Sequence, residues 1–291
     1  MINPAAGRAE PVLATLNRVF RAAGIAWQPF VTLESGDARR FASEAARGGF
    51  DAVAGYGGDG TISEVALGVR GSGVPLIVLP GGTGNVVAQE LGVPLELEAA
   101  AAVVTADAAR VFALDALEFD ERYALQRIGI GADAEVQRDS SREAKDRLGW
   151  FAYLLSALEQ FREPPIAEYV IELDGERHES TGVACMVANV GRLGRAGLRF
   201  SRTIDPFDGR LDVLLVKSTG LDAIAAVGAA LIGLEANDEA DLDTDALWHM
   251  QGEQVRIMTR PKQEVSVDGE PLGPLGAIDV RLQPGAIDVL L

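Results

Sequence analysis

The chain has 291 residues, 48% of them hydrophobic and 24% charged, with a net charge of -17. Those values describe a globular protein of one large or two ordinary domains. So acidic a chain opposes nucleic-acid binding through phosphate contacts and broad adhesion to an anionic membrane.

The single cysteine, Cys185, lies in the apolar run VACMVAN, which reads as core packing and fits a reducing cytoplasm. The N-terminus MINPAAGRAEP lacks the apolar core of a signal peptide. The longest apolar stretch, around Ala223 to Leu234, is too short to span a bilayer. The expectation is a soluble or peripheral protein.

Only Met1 and Ile2 precede the first Asn-Pro turn, so either the first strand is stubby or the sequence starts late within it. Pro11 to Ala23 places apolar residues at helical spacing, with proline near the first turn. Ala26 to Leu33 reads as a strand, with Pro29 marking an edge or a bulge. A helix over Asp37 to Arg47, a buried strand over Asp51 to Gly55 and a helix over Thr61 to Val69 follow. A second buried strand covers Pro75 to Leu79, and another helix starts near Asn85. This alternation predicts a parallel sheet with right-handed crossovers.

From about Val111 the pattern changes to short segments rich in Val, Leu and Ile, separated by Gly or Asp turns. They are ARVFALDALEF, RYALQRIGIG, YVIELDGE, TGVACMVANV, GRLDVLLV, EQVRIMT, EVSVDGE and AIDVRL. That is the signature of an antiparallel sandwich or barrel. Two helical insertions are expected, over Ser141 to Phe161 and Leu221 to Leu234.

The residues with chemical promise are in glycine-rich turns. In AGYGGDGTISEVALGV a buried strand runs into Gly57-Gly58-Asp59-Gly60-Thr61 and then a helix. Glycines admit a ligand close to the backbone, and the helix start offers unpaired N–H groups to a phosphate. LPGGTGNVVAQELGVP repeats the plan with Gly81-Gly82-Thr83-Gly84, where Asn85 either caps the helix or faces a ligand. Asn3-Pro4-Ala5-Ala6-Gly7-Arg8 is a third tight loop. Each loop alone suits an ordinary βα connection. Three at the carboxyl ends of parallel strands predict a shared nucleotide-phosphate site.

Neither a Walker motif nor a GxGxxG fingerprint is present. The only lysines are Lys145, Lys217 and Lys262, none in the first domain. A nucleotide there would be held by backbone N–H groups, hydroxyls, arginine and metal.

Taken together, Asn3-Pro4 with Gly7, Thr32 before Ser35-Gly36-Asp37, Gly57 to Thr61, and Gly82-Thr83-Gly84-Asn85 resemble the catalytic domain of diacylglycerol kinases, sphingosine kinases and bacterial lipid kinases. GGDGT alone is shared with NAD kinases; GGTGN favours the lipid-kinase branch. Asn189 in VANVGRLG, Asp208-Gly209 in IDPFDGRLDV and Val267-Asp268-Gly269-Glu270 are similar to later landmarks of the family, as are Lys145, Gly149 and Tyr153.

The resemblance implies an α/β nucleotide-binding domain over residues 1–112, with a parallel sheet of the NAD kinase and diacylglycerol kinase type. A mostly antiparallel β-sandwich would cover residues 113–291. It implies ATP and Mg²⁺ as cofactors, a lipid hydroxyl as acceptor, and transient contact with the inner membrane face of a cytoplasmic enzyme; a homodimer is a further expectation. Gly57, Gly58, Gly60, Thr61, Gly82 and Thr83 would hold phosphates, with Gly7 shaping the third loop. Asn3, Thr32 and Asn85 would help fix the nucleotide. Asp59 would bind Mg²⁺ or assist proton transfer, and Glu270 would be the general base. Asp208 would hold a structural Mg²⁺ by its side chain, with backbone carbonyls from Asp205 and Arg210.

Locally, VDGE also reads as a hairpin turn and Asp208 as a turn aspartate. Arg142, Lys145 and Arg147 beside Trp150, Phe151 and Tyr153 suit either lipid headgroups or a solvated helix turn. His178 and His249 show no metal-ligand spacing. An NAD kinase-like small-molecule kinase and a non-catalytic nucleotide-binding regulator are the competing readings.

Overall fold

The computed structural model describes residues 1–7, 10–106, 108–131, 166–193, 198–199, 201, 203–217 and 247–291. The two expected helical insertions, and with them Lys145, Gly149 and Tyr153, lie outside the described residues. The chain divides into two compact units. One comprises Met1–Leu114 with Gly285–Leu291; the other is Asp115–Pro284.

In the first unit, helix α1 (Val12–Ala22) buries Leu16 and Phe20, one turn apart on its inner face. Helix α2 (Asp37–Arg47) buries the small residues Ala38, Ala42 and Ala45. Strand β1 (Val53–Gly57) leads into α3 (Asp59–Val69), and β2 (Leu76–Pro80) leads into α4 (Val86–Glu90) and α5 (Leu97–Val103). The strands pair in parallel from Val53↔Leu76 to Gly57↔Pro80.

Two expectations change in detail. Strand β1 ends two residues later than its apolar run suggests, because Tyr56 is buried and Gly57 still pairs. Residues 26–33 form no regular strand: Ile2 makes single parallel bridges to Val31 and Tyr56. Pro29 has no N–H to donate to a ladder.

The second unit is antiparallel, as its alternating segments predict. Its strands are β3 (Val111–Phe119), which begins in the first unit, β4 (Arg122–Ala124), β5 (Arg127–Gly131), β6 (Ala167–Leu173), β7 (Glu176–Gly182) and β8 (Ala184–Ala188). They continue as β9 (Arg192–Leu193), β10 (Leu198–Arg199), β11 (Leu211–Val216), β12 (Leu247–Gly252), β13 (Gln254–Val267) and β14 (Glu270–Leu290), whose end returns to the first unit. There Val289 pairs in parallel with Leu76.

The long strand β13 pairs with β6 through its first half and with β5 through its second. The ladder continues through β8 and β11 to β12. Leu117, Ile128, Ile171, Val187, Val213, Ile257 and Val280 belong to one buried cluster, with Cys185 among them.

Hairpins with two-residue turns join β3 to β4 at Asp120-Glu121, β6 to β7 at Asp174-Gly175, and β13 to β14 at Asp268-Gly269. All six turn residues have positive φ, the geometry that matches strand twist and favours Asp-Gly. Strands β7 and β12 are absent from the sequence reading. Each pairs on one side only, with β6 and β11 respectively, so neither carries the continuous apolar run of a central strand.

Candidate active site

In the first unit the three glycine-rich loops meet. The Asn3 backbone N–H donates to the Tyr56 carbonyl at 3.0 Å, fixing the first loop beside the end of β1. Asn3 Oδ1 accepts the Ala5 N–H at 2.9 Å, and Asn3 Nδ2 donates to Thr61 Oγ1 at 2.9 Å. Because the Thr61 hydroxyl accepts from Asn3, its own proton is available to an anion. A Cβ built on Gly7 would lie 3.8 Å from Thr83 Oγ1, which sets the Asn3 loop beside the Gly81–Gly84 loop.

The second and third loops touch backbone to backbone. Gly57 carbonyl accepts from the N–H groups of Gly81 at 2.8 Å and Gly82 at 3.2 Å. A Cβ on Gly82 would lie 2.4 Å from Gly58 Cα, a distance no side chain tolerates. Asp59 is in the first turn of α3, and its Oδ1 accepts the Val87 N–H at 3.1 Å. One carboxylate therefore ties the start of α3 to the start of α4.

Asn85 takes a different part from either one expected of it. It has positive φ, its Oδ1 accepts the Gly82 N–H at 2.9 Å, and its Nδ2 donates to the Gly82 carbonyl at 2.8 Å. It braces the loop from within and does not cap α4 with its side chain. Thr32 is buried; its N–H and hydroxyl both point to the Ile2 carbonyl, at 3.0 and 3.4 Å.

Further along, Asp37 Oδ2 accepts the N–H groups of Leu33 and Glu34. The Leu33 bond first, and then the Arg40 side chain and the Glu34 bond, hold the Asp37 carboxyl below the usual carboxylate range. Glu64 of α3 accepts the N–H groups of Gly36 and Ala38 at 2.9 and 3.1 Å, capping α2 with a side chain from another helix. The arrangement fits a polyphosphate: an oriented hydroxyl and the start of helix α3 at the carboxyl ends of parallel strands.

In the second unit, Glu270 is exposed and opens β14, paired with Val267 across the Asp268-Gly269 turn. The turn is anchored by Asp268. Its carboxylate accepts the N–H groups of Leu125, Gln126 and Arg127 at 2.9, 2.8 and 3.1 Å. Its own N–H donates to the Arg127 carbonyl at 2.9 Å. Asn189, fully buried, donates through Nδ2 to the carbonyls of Asp115 and Leu125 at 3.0 and 2.9 Å.

The turn at residues 205–210 gathers carboxylates. Asp205 Oδ1 accepts the Phe207 N–H, Asp208 Oδ1 accepts the Arg210 N–H, and Asp115 Oδ2 accepts the Gly209 N–H. Among the described residues no three His, Cys, Asp or Glu side chains converge as metal ligands. A cation here would take the Asp208 carboxylate, backbone carbonyls and waters, a set that suits Mg²⁺.

Partial desolvation, and beyond it the charges of Asp212, Asp205 and Asp115, raise the Asp208 carboxyl above its ordinary range, against the Arg210 hydrogen bond that lowers it. A raised folded-state pKa favours folding at low pH, and that contribution is lost as pH rises through it. A divalent cation would relieve the charge left at neutral pH. Saturating Mg²⁺ is expected to raise the melting temperature at pH 7 by about 5 °C. The gain should shrink as the pH is lowered through the Asp208 titration and vanish in Asp208→Asn. Calorimetric melts across pH check this, and an Asp208→Asn protein that gains as much from Mg²⁺ as the parent would refute it.

The sequence reading missed Asp268, Asp115 and Asp212 as organisers. Asp115 and Asp212 do leave a signal: each is a lone carboxylate inside an apolar strand, in ALDALEF and LDVLLV. Both are buried, which demands partners.

The fold and the two sets of residues define a kinase-type protein with an α/β unit followed by a β-sandwich unit. Residues 1–115 match the diacylglycerol kinase catalytic domain family, and residues 126–291 match the YegS C-terminal NAD kinase beta sandwich-like domain family. The chain belongs to the diacylglycerol kinase-like family of lipid kinases. It is 30% identical over 287 residues to a Bacillus subtilis diacylglycerol kinase, covering 96% of this chain and 91% of that protein. A longer, uncharacterised Synechocystis protein is 28% identical over 234 residues; the match spans 80% of this chain and 53% of that protein. The crystal structure of a Bacillus anthracis diacylglycerol kinase superposes with a TM-score of 0.80 at 29% identity, covering 99% of this chain and 94% of that one. No helix among the described residues is long and apolar enough to cross a membrane.

Proposed function

We propose that the protein transfers the γ-phosphate of ATP to a hydroxyl of a diacylglycerol-like lipid. The observation that carries this reading is the backbone contact between the Gly58 and Gly82 loops, with the Asn3–Thr61 bond beside it. Phosphoryl transfer needs held phosphates, neutralised charge and a base for the attacking hydroxyl.

Backbone N–H groups of Gly58, Asp59, Gly60 and Thr61 and the hydroxyls of Thr61 and Thr83 bind phosphate oxygens. Asn3 sets the direction of the Thr61 proton. Gly57, Gly82 and Gly7 let the loops approach, and Asn85 and Thr32 keep their backbones in place. Mg²⁺ would supply charge neutralisation of the transferring phosphoryl group, and Asp59 would be the carboxylate that meets it or its waters. Glu270 takes the proton of the acceptor hydroxyl. A structural Mg²⁺ would be held by the Asp208 carboxylate and the carbonyls of Asp205 and Arg210. The protein works in the cytoplasm, touches the inner membrane face to reach its substrate, and forms a homodimer.

Incubating the protein with γ-labelled ATP, Mg²⁺ and a panel of diacylglycerol, phosphatidylglycerol, sphingoid base, polyprenol and NAD tests the reading. Label is expected in the diacylglycerol product. Label in NAD, or in no acceptor while ATP still binds, would overturn it.

A further inference from the structure

Tyr56, the next-to-last residue of β1, is only 2% exposed and touches all three glycine-rich loops. It runs directly into Gly57-Gly58-Asp59-Gly60-Thr61. Its carbonyl accepts the Asn3 N–H at 3.0 Å. Its hydroxyl donates to Glu10 Oε1 at 2.8 Å, and Glu10 stands just ahead of α1. The far end of its ring lies against Gly81, where an added Cβ would come within 2.6 Å of Tyr56 Cζ.

A phenylalanine would fill the same apolar space without a hydroxyl to satisfy. The hydroxyl here meets a carboxylate, which makes the bond stronger than one between neutral groups. Its effect is to hold the Asn3 loop from a second point. Gly7 lies between Asn3 and Glu10 in the chain, and both of these residues are bonded to Tyr56. Asn3 also donates to Thr61, and Gly7 lies beside Thr83. Loops fixed before an anion arrives bind it more tightly, because less ordering remains to be done on binding.

We propose that Tyr56 and Glu10 are positioning residues of the phosphate site, with one buried phenol setting the spacing of the three loops. The inference rests on reading those loops as that site. Neither side chain has to touch the nucleotide. Tyr56 acts through Asn3, Gly57 and Gly81, and Glu10 acts through Tyr56, 46 positions away. Because the loops serve phosphate oxygens, the effect falls on any polyphosphate, with or without a nucleoside.

Calorimetric titration of the full chain with ATP and with inorganic tripolyphosphate, each with Mg²⁺, tests it. The parent is expected to bind both. Tyr56→Phe keeps the ring against Gly81 and removes only the hydroxyl; it should weaken both ligands by about 10-fold. Glu10→Ala should weaken them as much, and Glu10→Gln, which keeps an acceptor for the phenol, should restore most of the affinity. The double variant Tyr56→Phe with Glu10→Ala should bind no more weakly than either single one, because the same bond is lost only once. Parent-like affinity in both single variants, or losses that add in the double one, would overturn the inference and leave the phosphate site standing. So would a loss confined to ATP with tripolyphosphate unaffected. Should Tyr56→Phe fail to fold, equal affinity in the Glu10→Ala and Glu10→Gln proteins would overturn it instead. No binding of either ligand by the parent would remove both readings.

Discussion

Replacing Glu270 with glutamine is expected to cut lipid phosphorylation by about 10²–10⁴-fold while leaving the fold intact. The substitution removes one ionisable oxygen and almost no volume. Glu270 is exposed and contributes to β14 through its backbone, which pairs with Val267 whatever the side chain. The turn that presents it does not depend on it either. Asp268 holds that turn through three backbone N–H groups of residues 125–127, and Gly269 supplies the second positive φ. The effect should therefore fall on turnover, with ATP binding and melting temperature unchanged. Initial rates at saturating ATP, set beside a calorimetric titration of nucleotide, separate the two. Turnover within a few-fold of the parent would remove Glu270 from the mechanism.

That anchor illustrates what the sequence disclosed and what it withheld. The Asp268-Gly269 turn is written locally: two residues between alternating segments, of the type that positive φ prefers. Its attachment is not, because Asp268 meets the backbone of residues lying about 140 positions earlier. The same division runs through the first unit. Each strand–glycine–helix unit could be read from its own residues, since apolar runs and bare turns are local signals. The bonds that join them, Asn3 to Thr61 and Asp59 to the Val87 N–H, cross 58 and 28 residues and leave no periodic trace.

Two strands that pair on one side only, β7 and β12, were missed because ERHESTG and LWHMQG carry no continuous apolar run. Extended sequence alone was also insufficient: residues 26–33 look like a strand, but Val31 makes only a single bridge, to Ile2. The return of Gly285–Leu291 to the first unit depends on a partner strand two hundred residues away, Leu76 of β2, against which Val289 pairs.

The other large effect is expected from Gly82→Ala, which should weaken ATP binding by about 10²-fold, the same scale by which an ångström of misplacement slows a positioned reaction. The added methyl would lie 2.4 Å from Gly58 Cα and 3.1 Å from Gly58 N. Both are backbone atoms, so no rotamer change relieves the clash, and the two loops must separate. Separation would stretch the Gly82 N–H bond to the Gly57 carbonyl, already 3.2 Å, and disturb the two bonds between Asn85 and Gly82. It would also pull on the contact between Asp59 and the start of α4. The folding cost should be modest, about 1–3 kcal/mol for overpacking by one methyl, because the cores of both units lie elsewhere. A large loss of nucleotide affinity with a small loss of stability is the signature of two loops serving one ligand. Calorimetric titration of ATP with Mg²⁺ reads the first quantity and thermal melting the second. If Gly82→Ala bound ATP within twofold of the parent, the tight approach of the loops would be a packing feature and the nucleotide would have to be held by other residues.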